Sequence, residues 1–238
     1  MLKVMRAVPT DLLLSAQCRH FLAKSNFEKR GRAVREYSLL DAGVMPGTVA
    51  HNRHELDDQT FATASRPGRL IHALSAIEGV FGNTKNLSVL SIGPRTEMEL
   101  MHLVGLGFAP HNVHALDLVS SSPWIDPGDM HAMPYADRSF DITISAWVLA
   151  YSKDPGKAIR EMVRVTRHDG LIAIGATFNP RADEVDYADQ DSKIVGTIFR
   201  HTAQYKEFIG ANLGRVHFED EPVQNAKGAV MIVARVVH

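Results

Sequence analysis

The chain has 238 residues, of which 45% are hydrophobic and 22% are charged, values typical of a globular protein and not of a disordered or fibrous one. A formal net charge of -1 gives no field that would attract a polyanion, so no nucleic-acid partner is expected. No apolar run approaches the roughly twenty residues that cross a bilayer, which predicts a cytoplasmic protein without a membrane partner. The single cysteine, Cys18, has no partner for an internal disulfide.

The first third of the chain has a mostly helical pattern from Thr10 to about Val80, and no strand is predicted there. Breaks fall at residues 43–47 and 67–68. We treat residues 1–66 as an N-terminal helical segment, either a lid or a homodimer contact, and residues 67–238 as the main domain. Residues 69–81 predict a helix with one apolar face, formed by Leu70, Ile71, Leu74, Ile77 and Val80.

After residue 87, short apolar runs alternate with helical patterns, which predicts βαβ units and an α/β fold with a mostly parallel sheet. The predicted strands are 88–92, 113–118, 140–146, 171–175 and 229–237. The predicted helices are 97–106, 156–166 and 202–213. Asp154 is expected to cap the second of these helices, with Pro155 in its first turn.

Ligands of open parallel sheets bind beyond the carboxyl ends of the strands, so Gly93, directly after the first strand, is the first candidate. Thr96 and Glu99 have the spacing of a capping box, which predicts a helix starting just beyond the glycine. Its free N–H groups suit a carboxylate or a phosphate, and Arg95 is a bidentate partner for that group. Alternatively, Arg95 is a surface residue on a tight turn.

Asp117 ends the second predicted strand, about twenty residues beyond the glycine turn, where an acidic side chain binds ribose hydroxyls. Alone this signal is weak, because an aspartate at a strand end also caps turns.

Further motifs follow in order along the chain: GDMHAMPY at 128–135, SFD at 139–141, WVL at 147–149, DP at 154–155, EMVRV at 161–165 and DG at 169–170. Over about residues 87–177 the chain closely resembles the class I S-adenosylmethionine (SAM)-dependent methyltransferases, of the type 11 kind. The resemblance implies a Rossmann-like doubly wound sheet with an N-terminal helical extension, and SAM as the cofactor bound by residues 67–238.

Carried over by position, the resemblance implies a binding role for each residue of the site. The methionine part of SAM would lie on Gly93, the ribose on Asp117, and the adenine between Asp129 and Met130. Ala146 and Trp147 would border the sulfonium and the substrate entrance. The alternatives are structural: Asp129 caps a turn, Met130 is core and Trp147 covers the sheet.

Two features depart from the family pattern. Arg95 and Glu97 stand where the second and third glycines of a G-x-G-x-G turn would align, so they either grip the SAM carboxylate and ammonium or fill the pocket. The run 118–127, with Trp124 and Ile125, is too short for the usual helix and third strand. It would cover the adenine side or form a vestigial edge strand.

The expected function is methyl transfer to an O or N atom of a small-molecule substrate, such as a sugar or a secondary metabolite. His131, Tyr151 and His201 are the candidate catalytic residues, although the histidines also suit structural roles. The N-terminal helices and residues 179–191 would enclose the substrate. Two alternatives remain open: a methyltransferase-like binding or regulatory protein without activity, and a nicotinamide-dependent oxidoreductase. No metal site is predicted, despite His51, His54, Asp57 and Asp58 lying close in sequence.

Overall fold

A computed structural model describes residues 9–44, 47–57, 66–180, 197–223 and 226–238. The helices are α1 Ala16–Lys29, α2 Thr48–Asp57, α3 Arg66–Ser75, α4 Glu97–Gly105, α5 Pro155–Val165 and α6 Thr202–Ile209. The strands are β1 Arg35–Glu36, β2 Val89–Ile92, β3 Val113–Asp117, β4 Val119–Ser120, β5 Asp126–Pro127, β6 Phe140–Ala146, β7 Thr166–Phe178, β8 Leu213–Asp220 and β9 Gly228–Val236.

Seven strands form the main sheet in the order β5-β3-β2-β6-β7-β9-β8. Neighbours from β5 to β7 are parallel, whereas β9 runs antiparallel to both β7 and β8. Strand β3 lies on one side of β2 and strand β6 on the other. The connections therefore diverge beyond the carboxyl end of β2, which opens a ligand crevice between β3 and β6. The predicted Rossmann-like, mostly parallel α/β sheet is confirmed.

Helices cover both faces of this sheet, because alternate strand residues point to opposite sides. On one face, Ile144 of β6 belongs to a core cluster that contains Leu70 of α3 and Leu100 of α4. On the other face, Ile172 of β7 belongs to a cluster that contains Ile159 of α5. The crevice thus opens at the end of a sheet that is buried on both sides.

The predicted helix over residues 69–81 is shorter in the structure, since α3 ends at Ser75. Ile77 and Val80 are nevertheless buried, as the apolar pattern predicts, although they lie in turns and not in a helix. Gly79, in the turns that follow the helix, adopts φ +91°, a left-handed conformation that glycine adopts without strain.

The prediction of no strand before Val80 is wrong. Strand β1 pairs antiparallel with β4, with Arg35 opposite Ser120. A two-residue strand leaves no periodic pattern in the sequence, and its pairing depends on a partner far along the chain. Strand β8, which the sequence did not reveal, lies at the outer edge of the main sheet.

Two capping predictions have different outcomes. Asp154 caps α5, with its Oδ1 accepting the N–H of Lys157 at 2.8 Å. Thr96 caps α4 by accepting the N–H of Met98 at 3.4 Å. The predicted capping role of Glu99 is wrong, because its Oε1 instead accepts the hydroxyl of Ser91 at 2.7 Å inside the protein.

The run 118–127 crosses directly from β3 to the edge of the sheet, and β5 is the vestigial edge strand of the two predicted options. The indole N–H of Trp124 donates to the carbonyl of Val113 at 2.8 Å, and Ile125 is fully buried.

Candidate cofactor and active site

The turn after β2 has the geometry that the glycine predicts. Gly93 adopts φ +69° and donates its N–H to the carbonyl of Leu116 at 2.8 Å. A Cβ atom at this position would lie 2.4 Å from Cγ2 of Val148. Only glycine therefore fits both the backbone conformation and the contact with the chain that follows β6.

Arg95 adopts a left-handed conformation, with φ +52°, which costs a residue with a side chain roughly 1–3 kcal/mol. Its backbone N–H donates to Oδ2 of Asp117 at 2.8 Å. Its guanidinium group reaches Oδ1 of Asn52 on α2 at 3.4 Å. The side chain is therefore turned toward the segment that covers the crevice.

Asp117 is buried at the carboxyl end of β3. Besides the N–H of Arg95, its carboxylate accepts the N–H of Val119 at 3.2 Å and faces the side-chain amide of Asn52 at 3.5 Å. Burial raises the pKa of Asp117 above its usual value, although these N–H donors oppose the shift. A buried carboxylate of this kind gains free energy from additional hydrogen-bond donors.

Glu97 is placed differently from the prediction that it grips an ammonium group. Its buried carboxylate pairs with Arg30 at 3.0 Å and accepts the Asn26 amide at 2.7 Å and the Ser122 hydroxyl at 2.5 Å. Three partners hold the carboxylate toward α1. Glu97 therefore links α1, α4 and the run 118–127 in this structure, and its cofactor-binding role stays a prediction.

Asp129 and His131 form a buried chain of hydrogen bonds with Ser152. Oδ1 of Asp129 lies 2.6 Å from Nδ1 of His131, and Nε2 of His131 lies 2.6 Å from the hydroxyl of Ser152. A carboxylate can only accept, so Nδ1 carries a proton and donates to Asp129. Both ring nitrogens are thus engaged in hydrogen bonds that position the ring, and the catalytic role of His131 stays a prediction. Met130 beside them is buried, with 9% of its surface exposed.

The loop at residues 41–44 closes over Asp129. The N–H of Asp41 donates to Oδ2 of Asp129 at 2.8 Å, and the Asp41 carboxylate pairs with Lys157 at 2.5 Å. Gly43 lies directly against His131, since a Cβ there would be 2.6 Å from the ring. Burial alone raises the pKa of Asp129, but the hydrogen bonds from His131 and Asp41 outweigh it and hold that pKa below its usual value.

Ala146 and Trp147 lie where β6 ends. Ala146 is buried, and Trp147 adopts φ +64° while donating its N–H to the carbonyl of Gly175 at 2.7 Å. The indole N–H donates to the hydroxyl of Thr177 at 2.7 Å. The side chain of Trp147 thereby covers the end of β7, as the structural alternative predicted, while its backbone turns the chain toward the crevice.

Two of the candidate catalytic residues lie in different surroundings. Tyr151 is buried after β6, with its hydroxyl 3.2 Å from Nε2 of His51 on α2. His201 is exposed at the start of α6, with Nδ1 3.2 Å from Oε2 of Glu221, which follows the outer strand β8. The structure therefore pairs His201 with a residue beside the outer strand, and its catalytic role stays a prediction. His51 was considered in the sequence only as a metal ligand, and its helical spacing gives no sign of the contact with Tyr151.

Some predictions fall outside the described residues, namely residues 181–191 of the substrate-facing loop and Asp58. Among the residues that the structure does describe, no group of three or more His, Cys, Asp or Glu side chains has the arrangement of a metal site. Within the same residues, no helix has the length and apolar character needed to span a membrane.

Comparison with known proteins places these motifs in a family. Residues 91–174 match the family model described as a methyltransferase domain. Over these residues the chain is similar to a methyltransferase domain. The resemblance to class I SAM-dependent methyltransferases is thus confirmed, and SAM is the methyl donor that this domain implies.

The methyltransferase domain also has curated and structural relatives. The chain is 30% identical over 118 residues to malonyl-[acyl-carrier protein] O-methyltransferase of Halorhodospira halophila, covering 40% of this chain and 39% of that protein. The chain thus spans about two fifths of the length of that relative.

Two solved structures share the fold. One is 1,6-didemethyltoxoflavin-N1-methyltransferase of Burkholderia thailandensis with bound 1,6-didemethyltoxoflavin and S-adenosylhomocysteine, with TM-score 0.57, 14% identity and coverage of 86% of this chain and 95% of that one. The other comes from a Haloferax volcanii complex between the Trm112 methyltransferase activator and a methyltransferase, with TM-score 0.53, 17% identity and coverage of 79% and 95%.

The crevice of the methyltransferase domain fits SAM in the chemistry of its donors and acceptors. Asp117 and Asp129 are hydrogen-bond acceptors, which suit the ribose hydroxyls and the adenine amino group. The groups that they now accept from include Asn52 and the backbone of Asp41, both from the N-terminal segment. SAM can therefore replace these donors if that segment shifts, and no buried carboxylate is left without a donor.

Proposed function

We propose that the chain transfers a methyl group from SAM to an O or N atom of a small molecule, such as a sugar or a secondary metabolite. The observation that carries the proposal is the buried carboxylate of Asp117, placed at the end of β3 beside the Gly93 turn and within the matched domain. A buried acceptor beside a tight glycine turn suits a ribose next to the methionine part of the cofactor.

In this proposal the sheet supplies the cofactor contacts. Asp117 accepts the ribose hydroxyls, while Asp129 accepts the adenine amino group and Met130 packs beside the ring. Gly93 and the Arg95 guanidinium hold the methionine part. Ala146 and Trp147 border the sulfonium, because they end β6, the strand beside β2.

We further propose that the N-terminal segment, residues 1–66, acts as a lid on the domain formed by residues 67–238. Support comes from contacts along the crevice: β1 pairs with β4, Asp41 reaches Asp129, and Asn52 reaches Asp117. A lid accounts for contacts that converge on the proposed cofactor residues, which a homodimer contact does not. Small-molecule substrates would enter beneath it.

SAM supplies an activated methyl group on a sulfonium, and the protein contributes mainly alignment and the exclusion of water. Asp117 and Asp129 fix the cofactor at two points along its length. Asn52 and the loop at residues 41–44 then close the crevice from solvent, since both already contact these acids or their neighbours.

Calorimetric titration with S-adenosylhomocysteine (SAH) tests the cofactor site without a known substrate. Wild-type protein should bind SAH, and Asp117→Asn should weaken binding roughly 10- to 100-fold, because hydrogen bonds to a charged acceptor contribute about 1.5–3 kcal/mol. Asp220→Asn is the matched control, because Asp220 lies at the end of the outer strand β8 and pairs at the surface with Arg69 of α3. Absence of SAH binding to the wild type would favour a methyltransferase-like binding protein without activity.

A further inference from the structure

His51 and Tyr151 form a buried pair that joins the N-terminal segment to the chain after β6. Nε2 of His51 lies 3.2 Å from the Tyr151 hydroxyl, and the rings stack with centroids 5.5 Å apart and planes inclined by 27°. His51 is 8% exposed and Tyr151 is 9% exposed. Only the tertiary fold brings these two residues together.

The neighbours of the pair place it at the crevice. Val148, shortly before Tyr151, lies against Gly93. Asn52, next to His51 on α2, reaches both Asp117 at 3.5 Å and Arg95 at 3.4 Å. The pair therefore borders the turn after β2 and the end of β6, where the proposed function places the methionine part and the sulfonium.

We propose that Tyr151 and His51 are the acid–base pair that removes the proton of the methyl acceptor, with Tyr151 touching the acceptor and His51 acting through it. This inference rests on the proposed function. The acceptor O or N atom bonds to the methyl carbon, while the methyl–sulfur bond breaks and its electron pair stays on sulfur. The acceptor proton passes to the Tyr151 oxygen as the Tyr151 proton passes to Nε2 of His51.

The two side chains have complementary properties for this step. A phenol alone is a weak base at neutral pH, whereas an imidazole normally titrates near pH 6.5 and can take the proton. Burial of the pair excludes water from the reacting atoms. The arrangement therefore selects acceptors that must lose a proton, namely hydroxyl and amine groups.

The charged groups near the pair, together with the charge of the cofactor, determine the pKa of His51. Arg95 and Asp117 approach through Asn52, while Arg53 and His54 lie on the same helix but are exposed. SAM and SAH differ by one methyl group and one positive charge at sulfur. A unit charge within about 6–8 Å should lower the pKa of His51 by about one unit or more at an effective dielectric constant near 20.

The test compares the His51 imidazole in the SAM and SAH complexes of the wild-type protein by NMR titration of labelled histidine. The His51 signal is assigned by its loss in His51→Gln, and His54 on the same helix is the internal control. We expect the pKa of His51 to be lower by about one unit in the SAM complex, whereas the chemical shift of the exposed His54 should be nearly the same in the two complexes.

A second readout concerns Tyr151. Because the proposal places its hydroxyl on the acceptor and not on the cofactor, Tyr151→Phe should bind SAH within about twofold of the wild type. A larger loss would place Tyr151 in the cofactor site and overturn the acid–base assignment. Equal His51 pKa values in the two complexes would also overturn it while leaving the proposed function intact. Failure of both ligands to bind would instead remove the proposed function.

Discussion

Glu99 tests how burial shifts the pKa of a carboxyl group and thereby changes the free energy of unfolding. Its carboxyl group is buried against Ser91, and burial raises its pKa from the ordinary 4.5 to about 7, with the charge of Asp117 adding to the shift. Below about pH 4.5 the group is protonated in both the folded and the unfolded state, so it does not change the free energy of unfolding. As pH rises toward 7, the unfolded state loses this proton first, and the free energy of unfolding falls.

The size of this loss follows from the shift in pKa. A difference of about 2.5 units corresponds to about 3 kcal/mol at high pH, of which about 2.5 kcal/mol appears between about pH 5 and about pH 8. Glu99→Gln cannot ionise, and its amide oxygen can still accept the Ser91 hydroxyl. We therefore expect the variant to gain about 2.5 kcal/mol over the wild type between these two pH values.

Urea unfolding followed by tryptophan fluorescence measures both proteins at each pH. Glu207→Gln is the control, because Glu207 is exposed on α6 and its replacement should give the same small difference at both pH values. A Glu99→Gln effect that does not change between about pH 5 and about pH 8 would contradict the reasoning, since it would mean that burial does not shift this carboxyl group.

Three further variants separate stability from cofactor binding. Glu97→Gln should lower the free energy of unfolding, measured in urea, by about 2 kcal/mol, because it leaves the Arg30 cation without its carboxylate partner. The affinity for SAH should not change. A large loss of SAH affinity would support a cofactor-binding role for Glu97. Gly93→Ala should weaken SAH binding at least tenfold by calorimetry, because the left-handed backbone and Val148 resist a Cβ; unchanged affinity would remove the turn from the site. Asp154→Ala should lower the free energy of unfolding by about 1 kcal/mol in urea, because it removes the cap of α5. An unchanged free energy of unfolding would show that the backbone N–H of Lys157 has another acceptor.

The sheet could be predicted because its strands carry local signals. Strand β6 matches its predicted bounds, and β2, β3 and β9 each differ from theirs by one residue at one or both ends. Strands that are buried on both faces read as continuous apolar runs, and the helices between them have clear caps. Strand β8 is only partly buried at the sheet edge, so its residues show no such run.

The site was predictable only where it belongs to the sheet. Gly93 follows β2 and Asp117 ends β3, and these positions together with the family resemblance made them candidates. The contacts of Glu97 could not be predicted, because the sequence does not show that Arg30 and Asn26, at a helix without a motif, bind its carboxylate.

The contacts of the N-terminal segment were missed for the same reason. His51, Asn52 and Asp41 reach the crevice through tertiary packing, and neither helical spacing nor charge marks them in the sequence. A lid interacts with residues that are distant along the chain, so its contacts leave no local pattern.

The crevice combines a fixed part with an exchangeable part. Gly93, Arg95 and Trp147 all have positive φ at the ends of β2 and β6, and backbone hydrogen bonds to Leu116, Asp117 and Gly175 hold these conformations. Strain of this kind persists where the surrounding sheet is rigid, so these turns are shaped before a ligand arrives. Asn52 of α2 and the backbone N–H of Asp41 each donate one hydrogen bond to these two carboxylates, and each can be replaced by a hydroxyl or amino donor of the ligand. Binding would therefore exchange partners at Asp117 and Asp129 without rebuilding the sheet, and the cost of entry would lie in moving the N-terminal segment.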